Sequence, residues 1–123
     1  MKRTTARSLW PVDLIPAEEG GYIVNFPDLP NGWSQGEDRA EALMQAEDLL
    51  EEIVLGRMAY GEEVPLPSAA NGRPTVALPA LTAAKLEAYR AMRAAGLNKK
   101  QLAERLGWQP SQVTRLFDGR QVN

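Results

Sequence analysis

Between Glu62 and Pro74 the chain carries Pro65, Pro67, Gly72 and Pro74, a density of backbone breakers that neither a helix nor a central strand accommodates. The folded parts must be built from the segments on either side of this stretch, with a linker between. The two parts differ in kind. Residues 1–74 hold thirteen acids and six bases and residues 75–123 hold three acids and eight bases, so a net −7 stands before a net +5. Charge segregated in this way implies two partners, a polyanion for the basic tail and something different for the acidic body. At 123 residues the chain is one ordinary domain or two very small ones, and so limited a core gains from oligomerisation.

The chain has no cysteine and no histidine. Disulfides, zinc sites and Cys or His nucleophile–base pairs are therefore excluded. Carboxylates remain. Asp13, Asp28, Glu47, Asp48 and Glu51 are the residue types of a two-magnesium nuclease site. Glu47, Asp48 and Glu51, however, fall on the polar side of a helix and do not converge on a strand end. A solvated helix face and a turn aspartate is the simpler reading, so the expectation is a non-enzyme without catalytic residues, metal or cofactor. No apolar run is long enough to cross a bilayer, and the basic start, Met1 to Arg7, lacks the apolar stretch of a signal peptide. The expected compartment is the cytoplasm, without membrane association.

Along the acidic part, Ser8 to Pro16 reads as a strand with Trp10, Val12 and Leu14 on one face, its prolines suiting an edge. A turn over Ala17 to Gly21 leads to a second strand, Tyr22 to Phe26, and the two are expected to form a hairpin. Pro27 to Gly32 is expected to be a loop, with a short third strand over Trp33 to Gly36. Asp38 and Glu41 have capping-box spacing, and the helix they open should reach about Tyr60 with Leu43, Ala46, Leu50, Ile53 and Val54 as its apolar stripe. Thr75 to Leu78 is β-prone and is read as the last strand of the same sheet. Thr82 is expected to cap a helix ending near Ala95 and Gly96. This divides the chain into domains of residues 1–79 and 80–123.

The most specific pattern lies at the end, NKKQLAERLGWQPSQVTRLFDGR over residues 98–120. Asn98 can cap a helix to Leu106, Gly107 suits a sharp turn, and Pro110 suits the first turn of a second helix. Leu102, Ala103 and Leu106 are spaced to meet Val113, Leu116 and Phe117, with Ala103 small where the helices cross. This is the pattern of a helix-turn-helix and resembles those of the Cro/repressor (XRE) type. Gln109, Ser111, Gln112, Thr114 and Arg115 would then present the groups that read base edges, and Lys99, Lys100 and Arg120 would lie nearer phosphates.

The segment EGGYIVNFPDLPNGWSQGEDRAEALMQAEDLLEE is distinctive as a whole. Through Tyr22, Val24, Phe26, Pro27, Asp28, Leu29, Pro30, Gly36, Glu41, Ala42 and Ala46, and again through residues 64–68 and the helical entry from Leu81, it resembles the HicB antitoxin family. The resemblance implies an α+β chain: a small partial ribonuclease H-like domain, an antiparallel sheet with one long helix, followed by an all-α helix-turn-helix domain. It implies a homodimer or tetramer whose first domain binds and neutralises a HicA-type toxin, a small basic mRNA-cleaving protein, and whose second represses its own promoter. The acidic body suits a basic partner. Pro27, Asp28, Leu29, Pro30 and Trp33 are the residues expected to face that partner. Two other functions stay open: a stand-alone regulator whose first domain senses a ligand or mediates assembly, and, more distantly, a nuclease.

Overall fold

The computed structural model describes residues 8–117. It is an α+β chain in two compact units. One comprises the chain up to Ile53 together with Pro65–Leu78, the other Val54–Val64 together with the chain from Pro79 onward. The proline-rich stretch thus does not part the chain cleanly at residue 79. Its first residues belong with the C-terminal helices and its later ones return to the sheet.

In the first unit, β2 (Asp13–Pro16), β3 (Tyr22–Phe26) and β4 (Leu29–Gly36) form an antiparallel sheet in the order β2-β3-β4. Leu14 pairs with Val24 and Ile15 with Ile23, so the expected hairpin forms, closed at its tip where the Ala17 amide donates to the Gly21 carbonyl at 3.0 Å. The expected first strand is broken. Trp10–Pro11 is a separate strand, β1, that pairs antiparallel with β5 (Thr75–Val76). The expectation that Thr75–Leu78 joins the main sheet is corrected accordingly. Val12, at the break, donates its amide to the Pro74 carbonyl at 2.9 Å, which turns the strand from one partner to the next.

A second correction concerns Pro27–Gly32. Only Pro27 and Asp28 form the turn, and β4 begins at Leu29. Pro30 is accepted within it because β4 is an edge strand, where an absent N–H breaks no ladder. The turn is tied down from a distance, since the Asp28 carboxylate accepts from both the amide and the hydroxyl of Ser68, at 3.0 and 3.1 Å.

Helix α1 (Arg39–Ala59) opens as the capping box foretells, with a variation. The Glu41 amide donates to Asp38 Oδ1 at 2.8 Å, but the Glu41 carboxylate accepts from the amide of Glu37, one residue before the cap, at 2.6 Å. The buried stripe is Ala42, Ala46, Leu50, Ile53, Val54 and Met58, so Ala42 takes the place expected for Leu43. Small residues there let the helix approach the sheet closely: a Cβ on Gly36 would fall within 2.6 Å of the Ala42 Cα. Trp10, Val12, Val24, Phe26, Leu29 and Val76, with the α1 residues as far as Ile53, are among the buried side chains of this unit, while Val54 and Met58 belong to the second.

The second unit holds α2 (Ala80–Ala94), α3 (Lys99–Leu106) and α4 (Pro110–Phe117). Pro79, not Thr82, occupies the cap of α2, and Thr82 lies buried inside the helix. Proline's ring fixes φ at the entry to the helix, and no side-chain cap is made there. Five side chains bond to carbonyls at and just beyond the end of α1: Lys99 to Ala59 at 3.2 Å, Arg93 to Gly61 at 2.6 Å, Tyr89 to Glu62 at 2.8 Å, Arg57 to Glu63 at 2.9 Å and Arg90 to Val64 at 3.3 Å. Carbonyls left over at a helix end attract such donors, and these bonds explain why residues 54–64 belong to this unit.

Candidate partner and nucleic-acid interfaces

The α3–α4 pair is built largely as its sequence indicates. The Asn98 side chain accepts from the Gln101 amide and the Gln101 side chain accepts from the Asn98 amide, both at 2.8 Å, a complete capping box. Gly107 closes α3 in the left-handed conformation, φ 71°, which a side chain would strain. Pro110 is the first residue of α4. Ala103, Val113 and Phe117 are buried, and Leu102 and Leu116 are half-buried. Leu106, expected in this core, is 47% exposed.

The Phe117 ring meets Tyr89 edge to face at 5.4 Å between centroids and 78° between planes, joining α4 to α2. Sequence reasoning reaches Phe117 only through its apolar spacing and does not reach Tyr89, because a tyrosine at one helical position carries no signal of its partner. Burial raises the Tyr89 phenol pKa above its ordinary 10.0, while Arg93 beside the ring acts in the opposite direction. A raised pKa means that the neutral phenol is favoured in the folded state. Its contribution is intact below pH 10 and is lost as pH climbs through the higher folded value. Alkaline titration should therefore show one tyrosinate forming at higher pH than an ordinary tyrosine's, and Tyr89→Phe should flatten that alkaline loss of stability. Retention of the same pH dependence in the variant would assign the loss to another group.

Around this core, Ser111, Gln112, Thr114 and Arg115 lie exposed on α4, with Gln109 exposed just before it. Gln112 also serves the helix itself, its side-chain oxygen accepting from the Gln109 amide at 2.7 Å. Lys99 is only half-exposed and spends its ammonium on the Ala59 carbonyl, whereas Lys100 is exposed at the same helix start. Arg120 lies outside the described residues.

The residues expected to face a protein partner separate sharply. Leu29 is fully buried beneath the sheet and cannot be touched from outside. The Asp28 carboxylate is engaged with Ser68. Pro27, Pro30 and Trp33 are not enclosed in this way, and Trp33 is 62% exposed, while Trp10 is in the core. The carboxylates considered for metal do not come together: Asp13 is paired with Arg73 at 2.7 Å, Asp28 holds its turn, and Glu47 and Asp48 are exposed on α1. Among the described residues no group of three or more acids is placed to hold a metal ion, and no helix is long and apolar enough to cross a membrane.

Residues 10–87 match the family described as the HicB_like antitoxin of bacterial toxin-antitoxin systems. The chain belongs to this family. Its members are antitoxins, not enzymes. Antitoxin HicB 1 of Photorhabdus laumondii subsp. laumondii is 40% identical over 109 residues, which cover 89% of this chain and 70% of that protein. Antitoxin HicB of Escherichia coli K12 is 36% identical over 110 residues, covering 89% and 80%. Antitoxin HicB of Pseudomonas fluorescens is 32% identical over 106 residues, covering 85% and 73%. The match to these relatives thus extends past the family segment, across most of the chain.

Proposed function

We propose that this chain is the antitoxin of a type II toxin–antitoxin pair: it binds and neutralises a HicA-type mRNA-cleaving toxin and represses its own operon by binding promoter DNA. The observation that carries the first half is the family match over residues 10–87. That segment contains the whole sheet and α1, which we read as a partial ribonuclease H-like fold serving as a binding platform. Its charge supports a basic partner. Among its described residues the first unit has eleven acids and two bases, and the second has four acids and eight bases.

The second half rests on α3 and α4, read as a helix-turn-helix with α4 in the major groove. Gln109, Ser111, Gln112, Thr114 and Arg115 face the bases in this reading. Lys100 is better placed than Lys99 for a phosphate, since Lys99 already serves Ala59, and Arg120 remains assigned to the backbone from sequence alone. A two-fold operator requires two such units, so the acting species is a homodimer or tetramer, in the cytoplasm.

Arg115→Ala is expected to cost about 1–3 kcal/mol on operator DNA and to relax specificity. Titrations on operator and scrambled DNA check it, and equal losses on both would remove the base-reading role. For the antitoxin reading itself, the gene beside this one should encode a protein that arrests growth when expressed alone. Co-expression with this chain should restore growth and the two should co-purify. A neighbour that neither arrests growth nor binds leaves the stand-alone regulator as the better account.

A further inference from the structure

The sheet of the first unit has a covered face and an open one. Val24 and Phe26 point to α1, so by strand alternation Ile15, Ile23, Trp33 and Gln35 share the other side. Ile15 lies directly opposite Ile23, and Ile23 opposite Gln35. Ile15 is 45% exposed, Trp33 62% and Ile23 half-exposed, so apolar side chains stand together on a face that, among the described residues of this unit, is left uncovered. Clusters of this kind on a sheet mark association surfaces more often than isolated exposed residues do.

Beside it is a recess of about 380 Å³, lined by Glu19, Tyr22, Gln35, Glu37 and Glu41 among others. Gln35 belongs to both, so the recess opens at the margin of the apolar face. One Glu41 oxygen is held by the Glu37 amide, which fixes that carboxylate in the wall. Three carboxylates and a phenol around one hollow suit a guanidinium or ammonium.

We propose that this open face, and not the Pro27–Pro30 turn, is where the first unit receives its protein partner, with Ile15, Ile23 and Trp33 under an apolar patch and an arginine or lysine of the partner in the Glu19–Glu37–Glu41 recess. The inference rests on the antitoxin reading and specifies its docking surface. Charge selects the occupant. The described residues of this unit carry nine more acids than bases, so a second copy would bring like charge against like, with Glu19 and Glu37 at the rim. At physiological salt such charges still interact over about 8 Å. A basic protein meets the same field with opposite sign. The turn offers less: Asp28 and Leu29 are occupied by the fold, which leaves two prolines.

The test uses the full chain and the basic protein encoded beside it, with affinity measured by calorimetry at low and high salt. Trp33→Ala should weaken binding about tenfold or more at both salt concentrations. Glu19→Lys, on an exposed turn, should weaken it about tenfold at low salt, with the loss shrinking as salt rises. Met44→Ala, exposed on α1, should bind as the unaltered chain does. Thermal melts matching the unaltered chain confirm that each variant is folded. Unaltered affinity in both Trp33→Ala and Glu19→Lys overturns the docking surface while leaving the antitoxin reading intact. Failure of the unaltered chain to bind overturns both. A smaller oligomer in Trp33→Ala with undiminished partner affinity assigns the face to a second copy and overturns the proposal.

Discussion

Gly36→Ala is expected to unfold the first unit or to destabilise it by about 3 kcal/mol, at the upper end of what overpacking costs. The reason is not backbone freedom but space. A Cβ at this position would fall on the backbone nitrogen of Ala42 and lie 2.7 Å from the Glu41 carbonyl carbon. Those atoms belong to the first turn of α1, whose position is set by the Asp38 cap and the Glu41–Glu37 bond. Backbone held by two hydrogen bonds cannot step aside as a side chain can. Gly32→Ala is the matched control on the same strand. Its Cβ would meet Leu49 Cδ1 at 3.9 Å, an ordinary contact. Without strain, replacing glycine chiefly restricts the unfolded chain, so Gly32→Ala should be neutral or stabilising by up to about 1 kcal/mol. Denaturant unfolding followed by circular dichroism distinguishes the two. Equal stability of both variants would mean that α1 does not lie against β4 as described.

Gly36 also illustrates how far local sequence reaches. Asp38 and Glu41, three apart, mark it as a residue just before a helix entry, and a helix does start there. That its hydrogen faces the helix backbone is a tertiary fact, invisible to local spacing. The same division runs through the rest. The α3–α4 pair is legible because each of its devices is local: Asn98 with Gln101, Gly107 at the turn, Pro110 at the first helical position. Pro27–Gly32 reads as a loop because two prolines in six residues signal a loop locally. The edge of a sheet suspends that rule, and edge status depends on strand order. Thr75–Val76 is legible as a strand but not in its partner, since its pairing with Trp10–Pro11 spans the whole intervening chain. Leu29 groups with its exposed neighbours in sequence because a five-residue motif does not say which member turns inward. The open sheet face is hidden for a related reason. The alternation that puts Trp10, Val12 and Leu14 on one side puts Ile15 opposite them, but only the neighbouring strands show that it stays exposed among the described residues.

Phe117→Ala should separate the two proposed activities. Phe117 is fully buried, and its ring is the edge-to-face partner of Tyr89. Truncating a core phenylalanine costs about 3–5 kcal/mol, the lost transfer energy plus the cavity left behind. Here that sum falls on two eight-residue helices whose shared core, among the described residues, is little more than Ala103, Val113 and Phe117. Domains of this size hold few kcal/mol in reserve. The α3–α4 pair should therefore lose its packing at ordinary temperature, and promoter binding should be abolished, not merely weakened. The sheet and α1 draw on a different set of buried residues, Val24, Phe26, Leu29, Ala42, Ala46 and Leu50, so toxin neutralisation should persist. Phe117→Leu, which keeps most of the volume and none of the ring geometry, should bind the promoter with intermediate affinity. The decisive comparison is made with Phe117→Ala in two assays, gel shift on promoter DNA and rescue of growth from the toxin. Promoter binding that survives the loss of this core would place DNA recognition elsewhere than α4. Loss of both activities together would mean that the antitoxin function also requires the C-terminal helices.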